Sequence, residues 1–215
     1  MKIKYSIICF VILLFTYTTT AEERKAGRLF PPEKIHILEE HREWQDTEEI
    51  MARLKINIGD VVADIGAGSG YFTIPLARRV GTEGLVYAED IQKGMVDFIS
   101  KKVEKLEMKN IRTVLGIIED PTLPDNSLNI AFVANTYHEL ERPLLLLENI
   151  KNDLRLNGKL VIIDWDPAKK SPFGPPKEVR VPEDIVIKEV QEIGLYLLEK
   201  HNFMPYHYFL IFKKK

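Results

Sequence analysis

Apolar and polar positions along the chain change period several times, and the changes mark out the elements. From Glu33, Ile35, Ile37, Leu38 and Trp44 sit among charges, a pattern that predicts a short amphipathic helix. A second helix is expected after Asp46 or Thr47, with Ile50, Met51 and Leu54 on one face. Val61 to Ile65 is then a compact apolar run ending in a glycine-rich turn, and a helical stretch from Tyr71 to Val80 stops at Gly81. The strand, turn, helix unit recurs. Leu85 to Glu89, Ile111 to Leu115, Ile130 to Ala134 and Leu160 to Ile163 read as strands. Lys93 to Leu106 and a Leu-rich stretch opened by Pro143 read as helices, and Leu156-Asn157-Gly158 reads as a turn. Strands apolar on both faces that alternate with helices belong to a parallel sheet covered on both sides. After a Pro- and Lys-rich loop, Asp166 to Pro182, a helix from Glu183 to Ile193 leads into two Tyr/Phe/Leu-rich strands, Tyr196 to Lys200 and Tyr206 to Phe212, expected to close the domain as a hairpin.

The N-terminus follows a different rule. Lys2 and Lys4 precede the apolar run Ile7 to Phe15, and Thr19-Thr20-Ala21 is a small-residue cleavage pattern before Glu22-Glu23-Arg24. That is the layout of a secretory signal peptide over residues 1–21, and it predicts export. The run is too short for the ~20 residues of a spanning helix, with an uncleaved N-terminal anchor as the alternative. Residues 22–32 read as a linker ending in Pro31-Pro32, and 33–215 as a single domain. Cleavage would remove Cys9, the one cysteine, and with it all thiol and disulfide chemistry. It would also make the formal charge of −2 more negative by two. Such a balance leaves no polybasic footprint for nucleic acid and favours a small-molecule partner. The five histidines form no metal-ligand spacing, so no metal is expected. A monomer or homodimer without stable membrane insertion is expected.

The sharpest motif is Asp64-Ile65-Gly66-Ala67-Gly68-Ser69-Gly70-Tyr71. Glycines after a strand let the backbone turn tightly and approach a ligand, and the next helix offers free N–H groups. Residue 71 is not glycine, so the spacing departs from the dinucleotide fingerprint. Asp90, at the end of the second strand, is placed to accept both hydroxyls of a ribose.

These segments, with Trp44-Gln45, Val86 to Ile91, Leu123-Pro124, Tyr137 to Leu140 and Gly158 to Trp165, resemble the class I S-adenosylmethionine-dependent methyltransferases. The resemblance implies a seven-stranded, mostly parallel Rossmann-like α/β sheet with an antiparallel last strand and helices on both faces. It implies S-adenosyl-L-methionine as cofactor, with Asp64, Gly66, Gly68 and Gly70 at its methionine end, Asp90 on its ribose and Ile91 against its adenine. Because positions 117 and 118 are both isoleucine, either Glu119 or Asp120 would meet the adenine amino group or apolar packing and backbone groups alone would hold the adenine, and Asn135 joins the cofactor-binding set. The implied activity is in-line methyl transfer to a small-molecule acceptor, the alternative being a cofactor-binding protein of the same fold without turnover.

Methyl transfer mainly needs alignment and a desolvated site, so few catalytic residues are expected. His138, as proton acceptor, and Tyr137, as a wall of the methyl channel, are the candidates after the fourth strand. Asp164-Trp165-Asp166 ends the fifth. Arg180 either binds an anionic substrate or braces its loop, and His207 is expected on an edge strand near the acceptor.

Overall fold

The computed structural model describes residues 26–40 and 43–215. The expected leader and cleavage point, Cys9, His41 and the first residues of the expected linker lie outside them. Seven strands form one sheet in the order β3-β2-β1-β4-β5-β7-β6. They are β1 (Val61–Ile65), β2 (Leu85–Asp90), β3 (Ile111–Leu115), β4 (Leu128–Ala134), β5 (Leu154–Trp165), β6 (Tyr196–His201) and β7 (His207–Lys213). Neighbours from β3 to β5 pair in parallel, and β7 runs antiparallel to both β5 and β6. The sheet is the expected one, and it is covered on both faces.

Burial shows why. On β5, Ile162 and Ile163 are adjacent and fully buried, and they belong to opposite cores. Ala63, Val133, Leu160 and Leu210 pack on one face with Leu147 of α5 (Pro143–Asp153) and Val186 of α6 (Glu183–Glu192). Val62, Phe132, Val161 and Phe209 pack on the other, with Leu54 of α2 (Thr47–Leu54), Leu76 of α3 (Thr73–Val80) and Ile99 of α4 (Lys93–Lys105). Each such side chain contributes about 1.5–3 kcal/mol by leaving water. Helix ends carry the signals read from the sequence. Asp46 caps α2 by accepting from the Glu49 N–H at 3.0 Å, Gly81 at φ 70° ends α3, and Pro143 opens α5.

Three expectations change. The helix from Glu33 shrinks to a 3-10 turn over Pro32–Lys34 and a four-residue α1 (Ile35–Leu38) without a buried residue, because it lies over a cleft rather than against the sheet. Trp44 falls outside it. Leu156-Asn157-Gly158 is not a turn before the strand. β5 starts at Leu154 and runs through these residues, with Asn157 at φ 65° and the pairing to β4 shifting register between Leu128 and Ile130. His207 sits on an interior strand, not an edge: β7 is inserted between β5 and β6. Among the described residues no helix is long and apolar enough to cross a membrane.

Candidate functional site

The carboxyl ends of β1, β2, β4 and β5 open into one cleft of about 2030 Å³, larger than the ~300–1,000 Å³ of a site for a single small molecule. Its floor is the turn after β1. Gly66 at φ 69° and Gly68 at φ 57° hold backbone conformations that L side chains rarely adopt, and a Cβ on Gly66 would come within 2.5 Å of Thr136. The Gly68 N–H donates to Asp90 Oδ2 at 3.0 Å and the Gln92 N–H donates to Asp90 Oδ1 at 2.8 Å, so the backbone fixes this carboxylate at the cleft. Asp64, beneath the turn, accepts from Thr73 Oγ1 at 2.6 Å. Ile91 lines the cleft. Gly70 does not: it packs towards Ile99 of α4 and serves the turn itself.

Sequence reasoning missed Glu89. It is 2% exposed, lines the cleft beside Asp90, and accepts from the Gly66 N–H at 3.3 Å. Gly116 makes room for it, since a Cβ there would stand 2.0 Å from Glu89 Oε1. Two consecutive acids ending an apolar strand were the available signal. Burial pushes the Asp64 carboxyl up to about 7 despite Thr73, with the Asp90 charge adding to it. Burial, then Asp90, pushes Glu89 up to about 8, and burial raises Asp90 as well. Across pH ~4 to 8 the folded protein therefore holds protons that the unfolded chain has released, so stability falls as pH rises. Thermal melts of the cofactor-free protein are expected to show Tm falling from pH 5 to pH 8, and Glu89→Gln is expected to flatten the slope.

The acceptor-side residues stand differently from the expectation. Tyr137 is fully buried, and its hydroxyl donates to Glu189 Oε2 of α6 at 2.6 Å. The 3-10 turn Tyr137–Glu139 points it into the core, so it does not line a channel. Glu119 also turns away from the cleft, accepting from Arg142 Nη1 at 2.7 Å, while Ile117 and Ile118 line the cleft in its place. Asn135, at φ 58° after β4, lines the cleft with its amide engaged on both sides: Oδ1 lies 2.9 Å from His207 Nε2, and Nδ2 donates to Gln45 Oε1 at 3.5 Å.

His138 lines the cleft at 5% exposure and is held from below by Asp164. The His138 N–H donates to Asp164 Oδ2 at 2.9 Å, and ring Nδ1 lies 2.9 Å from Oδ1. Burial pulls the imidazole pKa down, but the charge and hydrogen bond of Asp164 more than reverse this and leave it raised. Asp164 itself is held low, because His138 and two backbone N–H groups outweigh its burial. Nε2 faces Glu139 Oε1 at 3.9 Å, and burial pushes the Glu139 carboxyl up to about 7. Arg180 is a brace: it donates to the carbonyls of Pro175, Lys169 and Phe173 and stacks over Trp165.

The stretch read as a linker crosses the cleft mouth. The Gly27 N–H donates to the His138 carbonyl at 2.7 Å, Gln92 Nε2 donates to the Phe30 carbonyl at 3.0 Å, and Glu39 pairs with Lys102 at 2.7 Å. Residues 26–40 thus form a strap from β4 across β2 to α4. No cluster of three or more His, Cys, Asp or Glu side chains fit to hold a metal occurs among the described residues.

Residues 56–199 match the family described as a methyltransferase domain. The solved structure of a SAM-dependent methyltransferase from Aquifex aeolicus superposes with a TM-score of 0.82 at 31% identity, covering 86% of this chain and 100% of that one. A demethylmenaquinone methyltransferase from Geobacillus sp. (strain WCH70) is 25% identical over 124 residues, 58% of this chain and 52% of that protein. The chain thus spans about half the length of the curated relatives it matches. The [4+2]-cyclase SpnF shares the fold, with a TM-score of 0.67 at 13% identity, over 78% of this chain and 79% of that one. The cleft fits the cofactor such relatives imply. Ser69 is 1% exposed and lines it, and its hydroxyl has no hydrogen-bond partner among the described residues. Gly66 and Gly68 keep the floor clear, and Asp90 presents a fixed carboxylate. The chain belongs to the methyltransferase-domain family, and its cofactor is S-adenosylmethionine.

Proposed function

We propose that this protein transfers a methyl group from S-adenosylmethionine to a small-molecule acceptor by in-line displacement. The observation that carries the reading is the pairing of Asp90, pinned by the Gly68 and Gln92 N–H groups, with the hydroxyl of Ser69 in the same cleft. In this reading Asp90 accepts both ribose hydroxyls, and Asp64, Gly66, Gly68 and Ser69 hold the methionine end. Ile91, Ile117 and Ile118 pack on the adenine. When bound, the cofactor supplies an electrophilic methyl group. The chain aligns the acceptor, excludes water beneath the 26–40 strap, and offers His138 and Glu139 as the place for a displaced proton. Asp164 positions the imidazole, and Asn135 braces the wall through Gln45 and His207. The small-molecule assignment is supported by the enclosing strap and by the near-neutral formal charge of −2.

Calorimetric titration with S-adenosylmethionine and its demethylated product tests the reading. Saturable binding of both is expected, and tighter binding of NAD than of either would overturn it. The outward turn of Glu119 favours the alternative of a binding protein without turnover to the extent that adenine is held by packing alone. Binding with no transfer to any acceptor present in extracts of the source cells would establish that alternative. Export is proposed from residues 1–21, and N-terminal sequencing of protein from its own cells is expected to begin at Glu22.

A further inference from the structure

The 26–40 strap meets the body of the domain at residues that share one property: each belongs to the cleft or supports its floor. Leu38 lies over Gly68, where a Cβ would stand 3.2 Å from Leu38 Cδ1, and the Phe30 carbonyl accepts from Gln92 Nε2 at 3.0 Å. Gly68 and Gln92 are the two residues whose N–H groups hold the Asp90 carboxylate, so a ligand resting on Asp90 lies beneath the strap. Lys102 of α4 donates to Glu39 Oε2 at 2.7 Å and to the Ser69 carbonyl at 3.2 Å, which ties the far end of the strap to the glycine turn. At the near end Gly27 rests on the His138 carbonyl. These ties are mostly polar. α1 buries no residue, and Leu29 and Ile37 line the cleft yet stay 46% and 42% exposed. Ile117 and Ile118, lining the same cleft from the loop after β3, are exposed as well. Large apolar side chains left in water around one cleft mark a surface that a ligand covers, and an element with so little apolar burial opens at low cost.

We infer that residues 26–40 are part of the cofactor site: the strap opens to admit S-adenosylmethionine, closes on its adenosine end with Leu29 and Ile37 against the bound nucleoside, and is latched by the Glu39–Lys102 pair. This rests on the methyltransferase reading and adds to it the segment that governs exchange of cofactor for demethylated product. Glu119 is turned outward to Arg142, so the adenine gains no carboxylate from that residue, and apolar cover from the strap supplies hold that the β3 side lacks. Burial of Leu29 and Ile37 occurs in the closed, liganded state, so the ligand favours closure by the differential contact it makes there. Lys102 carries the coupling in the other direction. One ammonium holds both the strap, through Glu39, and the glycine turn, through the Ser69 carbonyl, so releasing Glu39 loosens the cover over the cofactor without removing any group that touches it.

Hydrogen exchange on the full chain, with and without saturating S-adenosylhomocysteine, tests the closure. The amides of residues 26–40 are expected to exchange at least about tenfold more slowly with the ligand bound. Stopped-flow displacement of S-adenosylhomocysteine tests the latch: Glu39→Gln is expected to raise the dissociation rate about threefold or more while the association rate stays within about twofold of wild type. Asp97→Asn removes the exposed Lys93–Asp97 pair on the same helix and is expected to leave both rates as they are. Leu29→Ser combined with Ile37→Ser is expected to raise the Kd about tenfold while the Tm of the cofactor-free protein stays within about 2 °C, since both side chains are exposed until the ligand arrives. Unchanged exchange of residues 26–40 on ligand binding would overturn the closure, and dissociation from Glu39→Gln no faster than from Asp97→Asn would overturn the latch. Failure of S-adenosylhomocysteine to bind the wild-type chain would instead remove the methyltransferase reading beneath both.

Discussion

Asp90→Ala is expected to weaken S-adenosylmethionine binding at least ~100-fold, because it removes a charged acceptor from two hydroxyls and each such hydrogen bond is worth about 1.5–3 kcal/mol. Isothermal titration at fixed pH measures it, and a loss under about fivefold would mean that the ribose is held elsewhere. The same substitution is expected to cost the cofactor-free fold little. It sacrifices the bonds from the Gly68 and Gln92 N–H groups, but it also relieves the repulsion that Asp90 exerts on Glu89 and Asp64. Thermal melts should therefore place the variant near wild type without cofactor and far below it with saturating cofactor. A structural residue would not separate in that way.

Asp164→Ala is expected to do the reverse. Its carboxylate is 1% exposed and meets the His138 ring, the His138 N–H and the Trp165 N–H, all at 2.9 Å or less. Breaking a buried, hydrogen-bonded charge pair costs ~3–5 kcal/mol, equivalent to a fall in Tm on the order of 10 °C for a chain of this size. The imidazole then loses the partner that outweighed its burial, so its NMR titration midpoint should drop below the ordinary histidine range. In the wild type the raised His138 contributes stability below the unfolded histidine pKa that is lost as pH rises through its folded value. The lowered Asp164 contributes stability above the unfolded carboxylate pKa that is lost as pH falls through its own. The pair is thus most useful between pH ~4 and ~6.5, and the Tm gap between wild type and variant should be widest there. A gap independent of pH would show that packing, not charge, holds the loop.

How far the chain could be read in advance depended on whether neighbours or distant partners decide a residue's place. Asp64, Gly66, Gly68 and Asp90 were legible because a strand, a tight turn and a strand end fix them locally. Tyr137 and Glu119 were not, since their directions are set by Glu189 and Arg142, 52 and 23 residues away. Ser69 sits within the quoted motif, but only the fold shows its hydroxyl buried and facing the cleft. Trp44 reads as a helical apolar position until the loop brings Phe173 beside it. The strap was invisible for a similar reason: Gly27 has no local pattern, and its partner His138 lies 111 residues further on, just after β4. The final strands offered a clue that a hairpin reading leaves unused. His207–Lys213 is almost continuously buried, as an interior strand must be, while in Tyr196–His201 exposed Leu198 and Lys200 alternate with half-buried positions, as in an edge strand.

That strand order sets the timetable by which the domain is assembled. β6 has β7 as its one sheet partner, yet β7 follows it in the chain. During synthesis β6 emerges with nothing to pair against, and the free flank of β5 stays open until His207–Lys213 has been made. The sheet is completed from the inside outward in space but out of order in time, so a ribosome stalled before β7 would leave an unpaired apolar strand edge, a template for self-association that the finished fold does not expose.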